Sequence, residues 1–120
     1  MFGFGKKEEM KMLDINEGFR RYEKDPDHIK ILCVDEVVDY DKTHIYDSEC
    51  LPLRIIDKYM SEYYPDKNIT YYVYAINKAI SEKAYYKLLK MGYKVYNLGS
   101  YLVYHEAEEG INVKKKYKRK

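Results

Sequence analysis

The chain has 120 residues, which suits one domain with a sizeable core. Its 46% hydrophobic and 35% charged residues exclude a disordered chain, and no apolar run approaches the ~20 residues of a membrane helix. Net charge is +2, but residues 114–120 hold six Lys or Arg, so a mildly acidic body precedes a strongly basic tail.

In chain order, Asp14, three residues before Glu17, reads as a capping box. A helix is predicted to about Glu23, stopped by Asp25-Pro26-Asp27. Residues 29–34 form a short, nearly continuous apolar run, the pattern of a strand buried on both faces of a parallel sheet. Residues 37–40 read as a helical turn, and residues 44–51 as irregular chain with room for a brief strand. Pro52 fits the first position of a helix, and Ile55, Ile56, Tyr59, Met60 and Tyr63 repeat at helical spacing. After a turn at residues 65–68, residues 69–74 form a second doubly buried strand.

Residues 75–79 are then predicted as a loop, followed by a helix carrying Ile80, Ala84 and Leu88, which Gly92 ends. Residues 94–97 read as a strand, Gly99-Ser100 as a turn and residues 101–104 as one helical turn. Strands alternating with helices imply an α/β domain of three layers, a central parallel sheet flanked by helices. Ligands in such folds bind beyond the C-terminal ends of the strands, here at Asp35, residues 75–79 and Asn97 onward. No internal repeat or interdomain linker is visible. The expected organisation is an N-terminal extension (1–13), the domain (14–107) and the basic tail (108–120).

The two cysteines, Cys33 and Cys50, form no C-x-x-C pair, and His28, His44 and His105 have no metal-ligand spacing, so neither zinc nor another cofactor is expected. The first ten residues show no signal-peptide core, which makes the cytoplasm the default location. In that compartment a Cys33–Cys50 disulfide is not the expected state. The tail reads as a solvated end. Its alternative role is weak, salt-dependent nucleic-acid binding, with Tyr117 stacking on a base, although no second basic patch supports it.

Several spaced residues carry a family resemblance. Tyr40, His44-Ile45 and Leu51-Pro52 match an aromatic, then G-H-I-P-G-A, then an apolar residue and Pro. Ser81, Ala84, Leu88 and Gly92-Tyr93 match R-S-x-x-A-x-x-x-L-x-x-x-G-F/Y. Val95-Tyr96-Asn97-Leu98-Gly99 is similar to V-Y-x-L-x-G-G, and Tyr104 stands near a closing tryptophan. Together these resemble the rhodanese-like family over about residues 14–104. The resemblance implies the small rhodanese-like α/β fold.

It also implies where activity would lie. The family's active loop reads C-x-x-G-x-R-S, and its cysteine carries sulfur as a persulfide cradled by loop and helix N–H groups. Aligned on Ser81, the loop here is Ala75, Ile76, Asn77, Lys78, Ala79, Ile80 and Ser81. Alanine replaces the cysteine, Lys78 the glycine and Ile80 the arginine. A methyl group is no nucleophile, so neither ordinary sulfurtransferase nor related phosphatase chemistry is expected. The family's D-V-R likewise reads Cys33-Val34-Asp35, an acid in place of the arginine.

The leading expectation is an inactive rhodanese-like module that binds a protein partner or a small anion. The alternative is a persulfide carrier using Cys33 as a relocated nucleophile, against the plainer reading of a buried structural thiol. His44 is expected to be a hydrogen-bonded scaffold residue, and Tyr71, Tyr72 and Tyr74 core. One of Tyr85 and Tyr86 is expected to face the pocket. Cys50 is assigned to packing, and His105 receives no role.

Overall fold

The computed structural model describes residues 9–100. Four parallel strands, β1 (Ile29–Cys33), β2 (Glu49–Cys50), β3 (Thr70–Ala75) and β4 (Lys94–Ser100), form one sheet in the order β2-β1-β3-β4. The helices are α1 (Ile15–Lys24), α2 (Val37–Lys42), α3 (Ile56–Tyr63) and α4 (Lys78–Lys90).

Both faces of the sheet are covered, which is why β1 and β3 read as unbroken apolar runs. Alternate strand residues separate into two cores. Leu32, Tyr71, Val73 and Val95 pack with Ile56 and Met60 of α3 and Ala84 and Leu88 of α4. Ile31, Cys33, Tyr72 and Tyr74 pack on the opposite face with Ile15 and Phe19 of α1. Each such aliphatic side chain contributes about 1.5–3 kcal/mol when fully buried. The expected three-layer α/β architecture is therefore present.

Local chemistry sets the helix ends. Asp14 caps α1 by accepting hydrogen bonds from the Asn16 and Glu17 amides at 3.0 and 3.1 Å. The Glu17 carboxylate pairs with Arg20 and Arg21. Gly92 takes a φ of +92° just beyond α4, the left-handed turn expected of it.

Three boundaries differ from the sequence expectation. Pro52 does not open a long helix. It caps a 3-10 turn (Leu53–Ile55), and α3 starts at Ile56, because Leu53 N donates to Val34 O at 3.0 Å and holds the chain against the end of β1.

Gly99-Ser100 is not a turn but the end of β4. Val73 pairs with Asn97 and Tyr74 with Gly99, so Leu98 is an extra residue in a bulge. Gly99 supplies the φ of +86° that this bulge needs, and its N–H donates to Asn97 Oδ1 at 2.8 Å. A lone glycine signals a turn or a bulge equally well.

The third difference lies between β3 and α4. Lys78 already begins the helix, so the predicted five-residue loop shrinks to Ile76 and Asn77. At the other edge, part of the expected N-terminal extension joins the sheet. Leu13 N donates to Asn97 O at 3.0 Å, and Asn97 N donates to Lys11 O at 2.9 Å.

Candidate functional site

The junction between β3 and α4 is pinned from several sides. Ala75 ends β3 with no exposed surface. The Ile76 N–H donates to both carboxylate oxygens of Asp35, at 2.9 and 3.2 Å, and Ser100 Oγ donates to Ile76 O at 2.8 Å. Asn77 caps α4, its side chain accepting from Ala79 N at 2.8 Å. The amides of Ile80 and Ser81 donate to Asn77 O at 3.0 and 3.4 Å, and Ser81 Oγ donates to Lys78 O at 3.0 Å.

Four of the amides that would line an anion cradle thus have acceptors within the chain. Lys78, Ala79, Ile80 and Ser81 are not loop residues but the first turn of α4. The Asn77 cap moved the helix start forward, a signal that the Ile80-Ala84-Leu88 spacing does not contain. Lys78 is exposed and takes no left-handed conformation, so its position carries no such backbone strain.

Asp35 links this junction to β1. Its carboxyl is half-buried, and burial raises its pKa above the usual carboxylate range, opposed by the Ile76 hydrogen bond. Oδ2 lies 3.5 Å from Cys33 Sγ. Cys33 is only 1% exposed. Its pKa is driven up by hydrogen bonding to Cys50 and by burial.

Cys50, expected to serve packing, has a specific neighbour. It is the register partner of Cys33 on β2. Cys50 Sγ reaches Asp35 O at 3.4 Å, on the residue whose carboxylate meets Cys33 Sγ. The Cys33 hydrogen bond lowers the Cys50 pKa. A two-residue strand leaves no periodicity, so nothing in the sequence announced this pair.

The remaining candidates are structural in placement. His44 is buried, stacked on the Tyr40 ring with centroids 3.8 Å apart, and its Nδ1 lies 2.8 Å from Tyr40 O. The Tyr40 hydroxyl donates to Ser48 O. Tyr71, Tyr72 and Tyr74 are core, as expected. Tyr74 also organises the segment after α2, since its hydroxyl accepts from Ile45 N at 2.9 Å and bonds Ser48 Oγ at 2.8 Å.

Among the described residues, a cleft of about 350 Å³ lies beside the junction, between Leu13, Lys78, Glu82 and Leu98. Neither Tyr85 nor Tyr86 lines this cleft, whereas Tyr86 lines a second one of about 330 Å³ on α4 with Lys83, Lys87 and Lys90. Tyr85 is buried and its hydroxyl accepts from Lys11 N at 3.0 Å, while Tyr86 packs on the α3–α4 core. Among the described residues, no group of three or more His, Cys, Asp or Glu is arranged to hold a metal, and no helix is long and apolar enough to cross a membrane. Tyr104, His105, Tyr117 and the basic tail lie outside the described residues.

No family model and no curated protein matches the chain. Solved structures do. A protein from Bacillus halodurans superposes with a TM-score of 0.71 at 19% identity, covering 87% of this chain and 80% of that one. A rhodanese-like domain protein from Staphylococcus aureus gives 0.67 at 21% identity, covering 85% and 96%. A rhodanese with anions from E. coli gives 0.56 at 29% identity, covering 60% and 86%. The fold is that of rhodanese-like domains.

Proposed function

We propose that this chain is a rhodanese-like domain that no longer transfers sulfur and serves as a protein-docking module. One observation carries the reading. Where the fold would place its nucleophile, between β3 and α4, a buried methyl group stands at Ala75, and the adjacent Ile76 amide is taken by the carboxylate of Asp35. The side chain can neither attack nor carry sulfur. When ionised, the Asp35 carboxylate beside the loop also opposes a persulfide or an oxyanion, which favours a protein over a small anion as partner.

The docking half of the reading rests on α2. Val37 and Val38 are 52% and 62% exposed, in the first turn of a helix that starts two residues after Asp35. Adjacent valines exposed beside the closed junction suit an apolar contact with a protein better than recognition of a small polar ligand. The relocated nucleophile at Cys33 finds no such support, since that thiol is buried and its pKa is raised.

The test is incubation of the reduced chain with thiosulfate, followed by intact mass and by thiocyanate release on adding cyanide. No mass gain and no thiocyanate are expected. One sulfur retained at Cys33 or Cys50 would overturn the reading.

A further inference from the structure

The register that pairs β1 with β2 sets Cys33 directly beside Cys50 at the C-terminal edge of the sheet. Register partners on adjacent parallel strands project to the same face, about 4.8 Å apart. That separation falls within the roughly 4.4–6.8 Å span between the Cα atoms of a disulfide. Both residues stand as thiols.

The two are unequally placed. Cys50 is half-buried on β2, the edge strand, whereas Cys33 is sealed on β1 between β2 and β3. Asp35 adjoins both, with its carboxylate against Cys33 Sγ at 3.5 Å and its carbonyl against Cys50 Sγ at 3.4 Å. We infer that Cys50 and Cys33 form a dithiol site that exchanges with low-molecular-weight disulfides, Cys50 attacking and Cys33 resolving.

The chemistry balances. The Cys50 thiolate attacks one sulfur of the small disulfide, breaks its S–S bond and releases one small thiol, which takes up the proton that Cys50 lost. A mixed disulfide on Cys50 remains. Cys33 passes its proton to the Asp35 carboxylate and attacks Cys50 Sγ. The Cys33–Cys50 bond forms as the S–S bond between Cys50 and the small thiol breaks, and the second small thiolate leaves and takes up the proton held on Asp35. Two protein thiols are oxidised and one small disulfide is reduced to two thiols.

The two thiols are unequal in pKa: the hydrogen bond between them moves Cys50 down, against burial and the neighbouring Asp35 charge, and Cys33 up together with burial. Cys50 is therefore the member that ionises first, and Cys33 attacks only once the mixed disulfide lies against it, with the Asp35 carboxylate in reach of its proton. The site also communicates with the β3–α4 junction. The carboxylate that meets Cys33 is the one that holds Ile76 N, so closing the disulfide removes a neighbour of the group that pins the loop.

The experiment is incubation of the folded, reduced full chain with oxidised glutathione, followed by acid quench, alkylation under denaturing conditions and intact mass. The wild type should lose two hydrogens and both alkylatable thiols, with one peptide joining Cys33 to Cys50. Cys33→Ser should stop with one glutathione retained on Cys50, and Cys50→Ser should stay unreacted while folded. If the Cys33→Ser chain does not fold, the wild-type mass and the Cys50→Ser chain still decide. A wild type that keeps both thiols, retains glutathione without closing, or forms only intermolecular disulfides overturns the proposal.

Discussion

Two neighbouring corners of this sheet differ. At the C-terminal end of β3, the groups at the junction bond within the chain. Ala75 offers a methyl group, Asp35 holds the Ile76 amide, and Asn77 satisfies the first turn of α4. At the C-terminal ends of β1 and β2, a thiol pair stands beside the same carboxylate, one member half-buried and its pKa lowered. Asp35 serves both corners, as an internal anion that occupies one and as a proton acceptor in the other. The strand ends of a parallel sheet are the places where chemistry can be held, and here adjacent ends present different groups.

The largest effect on this comparison should come from Tyr74, which lies one residue before Ala75 and braces the segment leading to β2. Tyr74→Phe keeps the ring but leaves Ile45 N, and the Ser48 hydroxyl beside it, without that oxygen inside the protein. A buried donor left unsatisfied costs about 1–3 kcal/mol. Denaturant unfolding should show that loss, and Cys50 should label faster in the folded state, because β2 follows Ser48 directly. Unchanged stability would mean that the hydroxyl does not hold the β2 corner in place.

A smaller loss is expected at the other corner. Asn77→Ala removes the acceptor for Ala79 N at the start of α4. Losing such a cap costs typically ~1 kcal/mol. The Cys50 labelling rate should not move, since the cap touches neither β1 nor β2. A change in Cys50 reactivity in this variant would show that the corners are not separable.

How much of this was legible in the sequence follows from what each feature leaves behind. The doubly buried strands β1 and β3 announced themselves as apolar runs, and α1 through Asp14 and its spacing. Ala75 at the end of β3 was visible because it is a statement about one residue. The Cys33–Cys50 pair was not visible, because strand register is a tertiary property and β2 is only two residues long. Asp35 was visible as an acid at the end of β1, but not its bond to Ile76, 41 residues away. Gly99 was misread because its positive φ serves a bulge as readily as a turn.

The smallest expected effect distinguishes the two duties of Asp35. Burial raises its carboxyl pKa in the folded chain above that of the unfolded chain, so folding favours the protonated form. The stabilising contribution of the proton is complete below the unfolded carboxylate range and is lost as pH rises through the higher folded value. Above that window the ionised, half-buried group costs stability. Asp35→Asn keeps an amide oxygen for Ile76 N–H and removes the charge. Its melting temperature relative to wild type should therefore rise from pH 3 to pH 7, by the equivalent of under about 1 kcal/mol, since water still reaches half of the group. The same variant should slow closure of the Cys33–Cys50 disulfide, because the amide cannot accept the Cys33 proton. A wild type that gains on the variant as pH rises would show that the fold stabilises the Asp35 charge. Asp35 would then be an electrostatic partner for the α4 N-terminus rather than a strained anion held for the thiols.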